Sequence, residues 1–166
     1  MNSIRTARLE LRTLRPQDID AALSFWGDTE VMKYCGGAID RIAITNGIKN
    51  YMNTQNERGF SVFAVVLPET KDTVGACGFN YTKDPNEVEL IYHFARKYWG
   101  NGYAIEAAKA CIEYAKEYLP ICRIVASVDP LHEVSIRILN KLGFQHVGKK
   151  WFEETQQYDL WFELNI

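Results

Sequence analysis

The sequence is short of several things, and each shortage narrows what the protein does. No apolar run approaches the roughly 18 residues that a membrane-spanning helix needs. The opening Met1-Asn-Ser-Ile-Arg-Thr also lacks the apolar stretch of a secretory signal. Together these absences lead us to expect a cytoplasmic protein without a membrane partner. Charge of one sign is not in excess, since 19 Lys and Arg face 21 Asp and Glu, for a net charge of −2. A nucleic-acid partner is therefore not expected, because no basic footprint exists. The nearest thing to a patch is Arg5, Arg8, Arg12 and Arg15, read as the solvated face of a strand. Cysteine is scarce, and Cys35, Cys77, Cys111 and Cys122 stand far apart with no C-x-x-C pair and no His at ligand spacing. Neither a disulfide framework nor a metal site is indicated, and the four read as small buried apolar residues. Repeats, low-complexity tracts and linkers are missing too. The 166 residues, 47% of them hydrophobic, are expected to form one domain spanning 1–166.

What is present is a regular alternation of patterns. Arg8 to Leu14 alternates apolar and polar residues as a half-buried strand does. A helix after Pro16 carries Ile19, Ala22, Leu23 and Trp26 on one stripe, and a second runs from about Asp40 to Asn56. Phe60–Leu67 and Thr73–Tyr81 are β-rich arms of a hairpin, and Val88–Phe94 is a further strand. Then come the Gly100 and Gly102 turn, a helix from about Asn101 to Tyr118, and a strand from Cys122 to Val128. A helix from about Glu133 to Leu142 stops at Gly143, and strands Phe144–Trp151 and Gln157–Leu164 close the chain. The order β-α-α-β-β-β-α-β-α-β-β predicts an α+β domain on a mixed sheet, with the strands flanking the long third helix parallel. A ligand in such a sheet sits beyond the carboxyl ends of its parallel strands. The glycine turn falls there, and the donors at the mouth of its helix suit an anion such as a diphosphate.

Trp99-Gly-Asn-Gly-Tyr-Ala104 and the Ile105-Glu-Ala-Ala helix resemble the diphosphate loop of the GNAT superfamily of N-acetyltransferases, in the branch of the ribosomal-protein alanine and serine N-acetyltransferases. Further segments agree in order: Thr6–Leu14 with Asp18, Asp28–Lys33, Glu89–Phe94, Val128-Asp-Pro130, and Ser135–Phe144. The resemblance implies a mostly antiparallel seven-stranded sheet with a V-shaped split between two parallel central strands and helices on both faces. It also implies acetyl-CoA as co-substrate, no metal, and an amine acceptor, either a peptide N-terminus or a small molecule.

The same resemblance places the site. The diphosphate would rest on Trp99, Gly100, Asn101, Gly102, Tyr103 and Ala104, and the pantetheine arm would border Tyr92, His93, Phe94 and Ala95. Glu89 is the candidate base, with Glu87 on the same face in reserve; His93 is either a base or a packing residue. Many family members carry a Tyr as general acid where this chain has Leu139, so Ser135 becomes the candidate proton donor. His132 stands where Asn is common and either holds the cofactor arm or simply enters the helix. Trp26, Trp151, Phe152 and Trp161 are aromatic candidates for the acceptor wall, and the Glu153-Glu154 turn could attract a cation. An exposed edge at Gln157–Leu164 would suit a homodimer, otherwise a monomer. The competing reading is a CoA-binding sensor or assembly module without catalysis.

Overall fold

The structure is a computed structural model that describes residues 3–166; Met1 and Asn2, the start of the N-terminal stretch considered above, lie outside them. Eight strands form one sheet: β1 (Ile4–Arg5), β2 (Glu10–Thr13), β3 (Val62–Val66), β4 (Thr73–Tyr81), β5 (Glu87–Phe94), β6 (Arg123–Val128), β7 (Gln145–Phe152) and β8 (Gln157–Asn165). Their order across the sheet is β1-β2-β3-β4-β5-β6-β8-β7. Among the described residues only β5 and β6 pair in parallel; the remaining neighbours are antiparallel. The seven anticipated strands are all present, and the two-residue β1 is an eighth at the edge.

Four helices cover the two faces: α1 (Ile19–Leu23), α2 (Arg41–Arg58), α3 (Tyr103–Tyr118) and α4 (Glu133–Lys141). Side chains alternate faces along a strand, and β3 is buried at all five positions because both of its faces are covered. Phe63 and Val65 join the core beneath α3 and α4, while Val62, Ala64 and Val66 join the core beneath α1 and α2. Helix α3 lays Ala107, Ala108, Cys111, Ile112 and Ala115 on the sheet. Four of those five side chains are small, so the helix axis can come close to the strands whose carboxyl ends it follows. Leu119 then leaves the helical region before Pro120, which cannot continue a helix.

Three expectations need correction. Strand β8 lies inside the sheet between β6 and β7, so the exposed edge is Gln145–Phe152 and not Gln157–Leu164. Cys77 and Cys111 are buried with their sulfurs 3.8 Å apart, but Cys35 and Cys122 are exposed. Of the four arginines, Arg5, Arg8 and Arg15 are exposed as expected, but Arg12 is half-buried in a bidentate pair with Asp18 at 2.8 Å, and Arg8 also reaches α3.

Candidate active site

The parallel pairing of β5 and β6 is short, running through Glu87↔Arg123, Val88↔Ile124 and Glu89↔Val125. Beyond Glu89 the strands part, although β5 continues to Phe94 and β6 to Val128. Backbone amides point alternately to the two sides of a strand. Because Ala95 N–H donates to Val74 O at 3.0 Å, His93 N–H also faces β4, whereas the Tyr92 and Phe94 N–H groups face the split. The Phe94 carbonyl on that side accepts the Trp99 indole N–H at 2.8 Å. Of the four backbone positions expected along the split, Tyr92 and Phe94 therefore present their amides to it; His93 and Ala95 turn theirs to β4.

After β5 a single 3-10 turn, Arg96–Tyr98, leads into Gly100 and Gly102, whose φ values of 77° and 78° are left-handed and suit glycine. Glu106 N–H to Gly102 O, at 3.1 Å, is the first bond of the α3 ladder. The N–H groups of Tyr103, Ala104 and Ile105 precede it and have no earlier carbonyl in the helix. Asn101 turns its side chain inward, donating to the Tyr98 and Trp99 carbonyls at 2.9 and 3.2 Å.

The split, this loop and the start of α4 enclose a cavity of about 700 Å³. It is lined by Glu89, Tyr92, His93, Phe94, Trp99, Gly100, Gly102, Tyr103, Ala104, His132 and Ser135; Ala95 and Asn101 are not in its wall. Helix α4 adds Arg137 and Lys141, while the strand side adds Asp129, Glu154 and Asp159. Among the described residues, none of Glu89, Asp129, Glu154 and Asp159 has an ion-pair partner. The Gln157 amide bridges Asp129 and Asp159 at 3.0 and 2.7 Å.

Burial pushes the Glu89 carboxyl above its ordinary range, opposed by the Ser127 hydroxyl that donates to it at 2.9 Å and by the charge of Lys150. Glu87 is different: it pairs with Arg123 at 2.6 Å and is not in the cavity wall, which removes it as a reserve base. Trp26 Nε1 donates to His93 Nδ1 at 3.2 Å. An indole nitrogen only donates, so the neutral His93 ring carries its proton on Nε2. Burial, with the charge of His132, drives the His93 pKa down to about 4, so the ring is neutral at physiological pH and poorly suited as a base.

Tyr92, expected to border the pantetheine arm, shares a 2.7 Å hydrogen bond with Ser135, which is buried. His132 occupies the N-cap position of α4 without a capping bond, and its ring lies 4.8 Å from that of Tyr34. Of the aromatic candidates for an acceptor wall only Phe152 reaches the cavity. Trp26 is buried beneath His93, Trp151 bonds Glu153, and Trp161 lies under the Lys150 ammonium. Ser127 was missed, although its place on the strand partnering β5 was a usable signal.

A sequence model described as an acetyltransferase (GNAT) domain matches residues 8–145. The uncharacterized N-acetyltransferase p20 of Bacillus licheniformis is 34% identical over 157 residues, covering 89% of this chain and 85% of that protein. A GNAT-family acetyltransferase of Bacillus anthracis superposes with a TM-score of 0.85 at 26% identity, over 99% of this chain and 97% of that one. RimL, a ribosomal L7/L12 α-N-protein acetyltransferase solved in complex with coenzyme A, has the same fold with a TM-score of 0.84 at 13% identity, covering 99% and 98%. That family uses acetyl-CoA as donor. On its sequence and on its split sheet, the chain belongs to the GNAT family of acetyltransferases and is an enzyme of the acyltransferase class.

Proposed function

We propose that the enzyme transfers an acetyl group from acetyl-CoA directly to a primary amine, with both substrates bound together in the cavity. One observation carries this reading: the split amide of Phe94, the mouth of α3 and the carboxylate of Glu89 open on a single space. The residues present fit the donor. Backbone N–H groups from Gly100 to Ala104 suit its diphosphate, with Arg137 and Lys141 as further cations in the same wall. The unpaired edge of β5 at Tyr92 and Phe94 suits its peptide-like arm. Phe94 N–H then serves as the donor toward the charge that develops on the acyl oxygen.

A primary amine with a reference pKa of about 8 arrives mostly protonated. The carboxylates around Glu89 favour that cation, and Glu89 takes its proton, directly or through one water. The sulfur departs as a thiolate that accepts a hydrogen bond from the Ser135 hydroxyl and takes its proton from water, and the Tyr92 hydroxyl behind the serine orients it. Leu139 is buried at the position where other members carry an acid, and it offers no proton. Acceptors of the peptide N-terminal type, as named for RimL, and small amines both satisfy it.

The test is thiol release from acetyl-CoA across a panel of primary amines and N-terminal peptides. Steady turnover with any of them, with acetylated amine as product, is the expected result. Tight CoA binding with no turnover on the whole panel would identify a binding module instead.

A further inference from the structure

Arg8 has no part in the scheme so far, yet it is wired into the loop that the scheme depends on. It sits on the turn between β1 and β2, and its Nε and Nη2 each meet the Glu106 carboxylate of α3 at 2.7 Å. Its Nη1 donates to the Asn101 carbonyl at 2.8 Å, and its guanidinium lies over the Tyr103 ring, 4.8 Å from the centroid. Glu106 is held in turn by the Thr6 hydroxyl at 2.5 Å and the Arg8 amide at 2.9 Å. Asn101, Tyr103 and Glu106 all belong to the glycine loop or the first turn of α3.

The peptide unit is planar and trans, so its C=O and N–H point in opposite directions. With the Asn101 carbonyl drawn to Arg8, the Gly102 N–H of the same peptide is turned away from it. Gly102 lies in the cavity wall and Asn101 does not. A glycine at φ 78° gives this peptide little resistance to flipping, and a flip would aim the carbonyl where the amide now points. The Asn101 side chain fixes the preceding carbonyls, at Tyr98 and Trp99, but nothing on that side chain holds its own.

We propose that Arg8 is a positioning residue that locks the Asn101–Gly102 peptide with its N–H toward the diphosphate, Glu106 holding Arg8 in place. The proposal rests on the loop being the diphosphate site. Calorimetric titration with CoA and with pantetheine, which keeps the thiol arm and lacks the diphosphate, separates the two. Arg8→Met is expected to weaken CoA about tenfold, the effect of one charge-assisted hydrogen bond, and to leave pantetheine unchanged. Glu106→Gln is expected to weaken CoA in the same direction, again sparing pantetheine. Parental CoA affinity in Arg8→Met, or an equal loss for both ligands, overturns the proposal. Tighter CoA binding in Glu106→Gln also overturns it, since a released Arg8 would then be a direct phosphate ligand. A parent protein that binds CoA no better than pantetheine removes the diphosphate reading itself, and the role of Arg8 with it.

Discussion

Glu89 and His93 share one face of β5, four residues apart, and their surroundings push them to opposite ends of usefulness as a base. Burial favours the neutral form of each, which raises the carboxyl of Glu89 and lowers the imidazole of His93 to about 4. Glu89 must be ionised to take a proton, so activity rises with pH through a value above the usual carboxylate range near 4.3. In kcat/KM profiles, Glu89→Gln is expected to lose that acidic limb and about a hundredfold or more in turnover while CoA affinity stays at the parental level. His93→Gln is expected to keep the limb where it was. A limb that follows His93 and survives Glu89→Gln would reassign the base. The family resemblance made Glu89 legible from the sequence, and strand alternation put Glu87 beside it. What periodicity does not report is the partner across the gap: Arg123 claims Glu87, Ser127 finds Glu89, and Trp26 fixes His93.

At the scale of elements, the split follows from pairing that stops at Glu89, and the chain order was enough to anticipate parallel strands there. The last hairpin was harder, because two arms of equal length pair with each other whichever lies inside. Composition decides it: β8 places Leu160, Phe162 and Leu164 against the core, while β7 carries Lys149, Lys150 and Gly148 and accepts exposure as an edge strand. The entry to α1 was also only half legible. Pro16 and Asp18 mark a helix start, but Asp18 is 3% exposed and bonds Arg12, the Arg15 amide and Thr73, which ties β2 and β4 to the turn. Burial alone would raise the Asp18 carboxyl; the Arg12 and Arg15 bonds outweigh it and leave it below its ordinary value. Its stabilising effect is therefore present above the unfolded value near 4 and fades as pH falls through the lower folded one. Asp18→Asn strands the Arg12 charge and is expected to cost about 3 kcal/mol at neutral pH in denaturant titrations. The deficit relative to the parent should shrink near pH 3, and a pH-independent deficit would contradict the role given to this pair.

The whole molecule is a sheet with a core on each face, parted at one place so that an extended ligand can reach between two central strands. The cavity there is polarised: loop amides, Arg137 and Lys141 come from the helical side, and Glu89, Asp129, Glu154 and Asp159 from the strand side and the final turn. An anionic donor and a cationic acceptor are suited to opposite ends of that arrangement. Among the described residues no helix is long and apolar enough to cross a membrane. The most direct measurement is a crystal structure of the protein with CoA. The account predicts the diphosphate on the amides of Gly100 to Ala104, and the thiol arm along Tyr92 and Phe94 with its sulfur near Ser135. A diphosphate bound elsewhere, with the split closed by protein side chains, would contradict it.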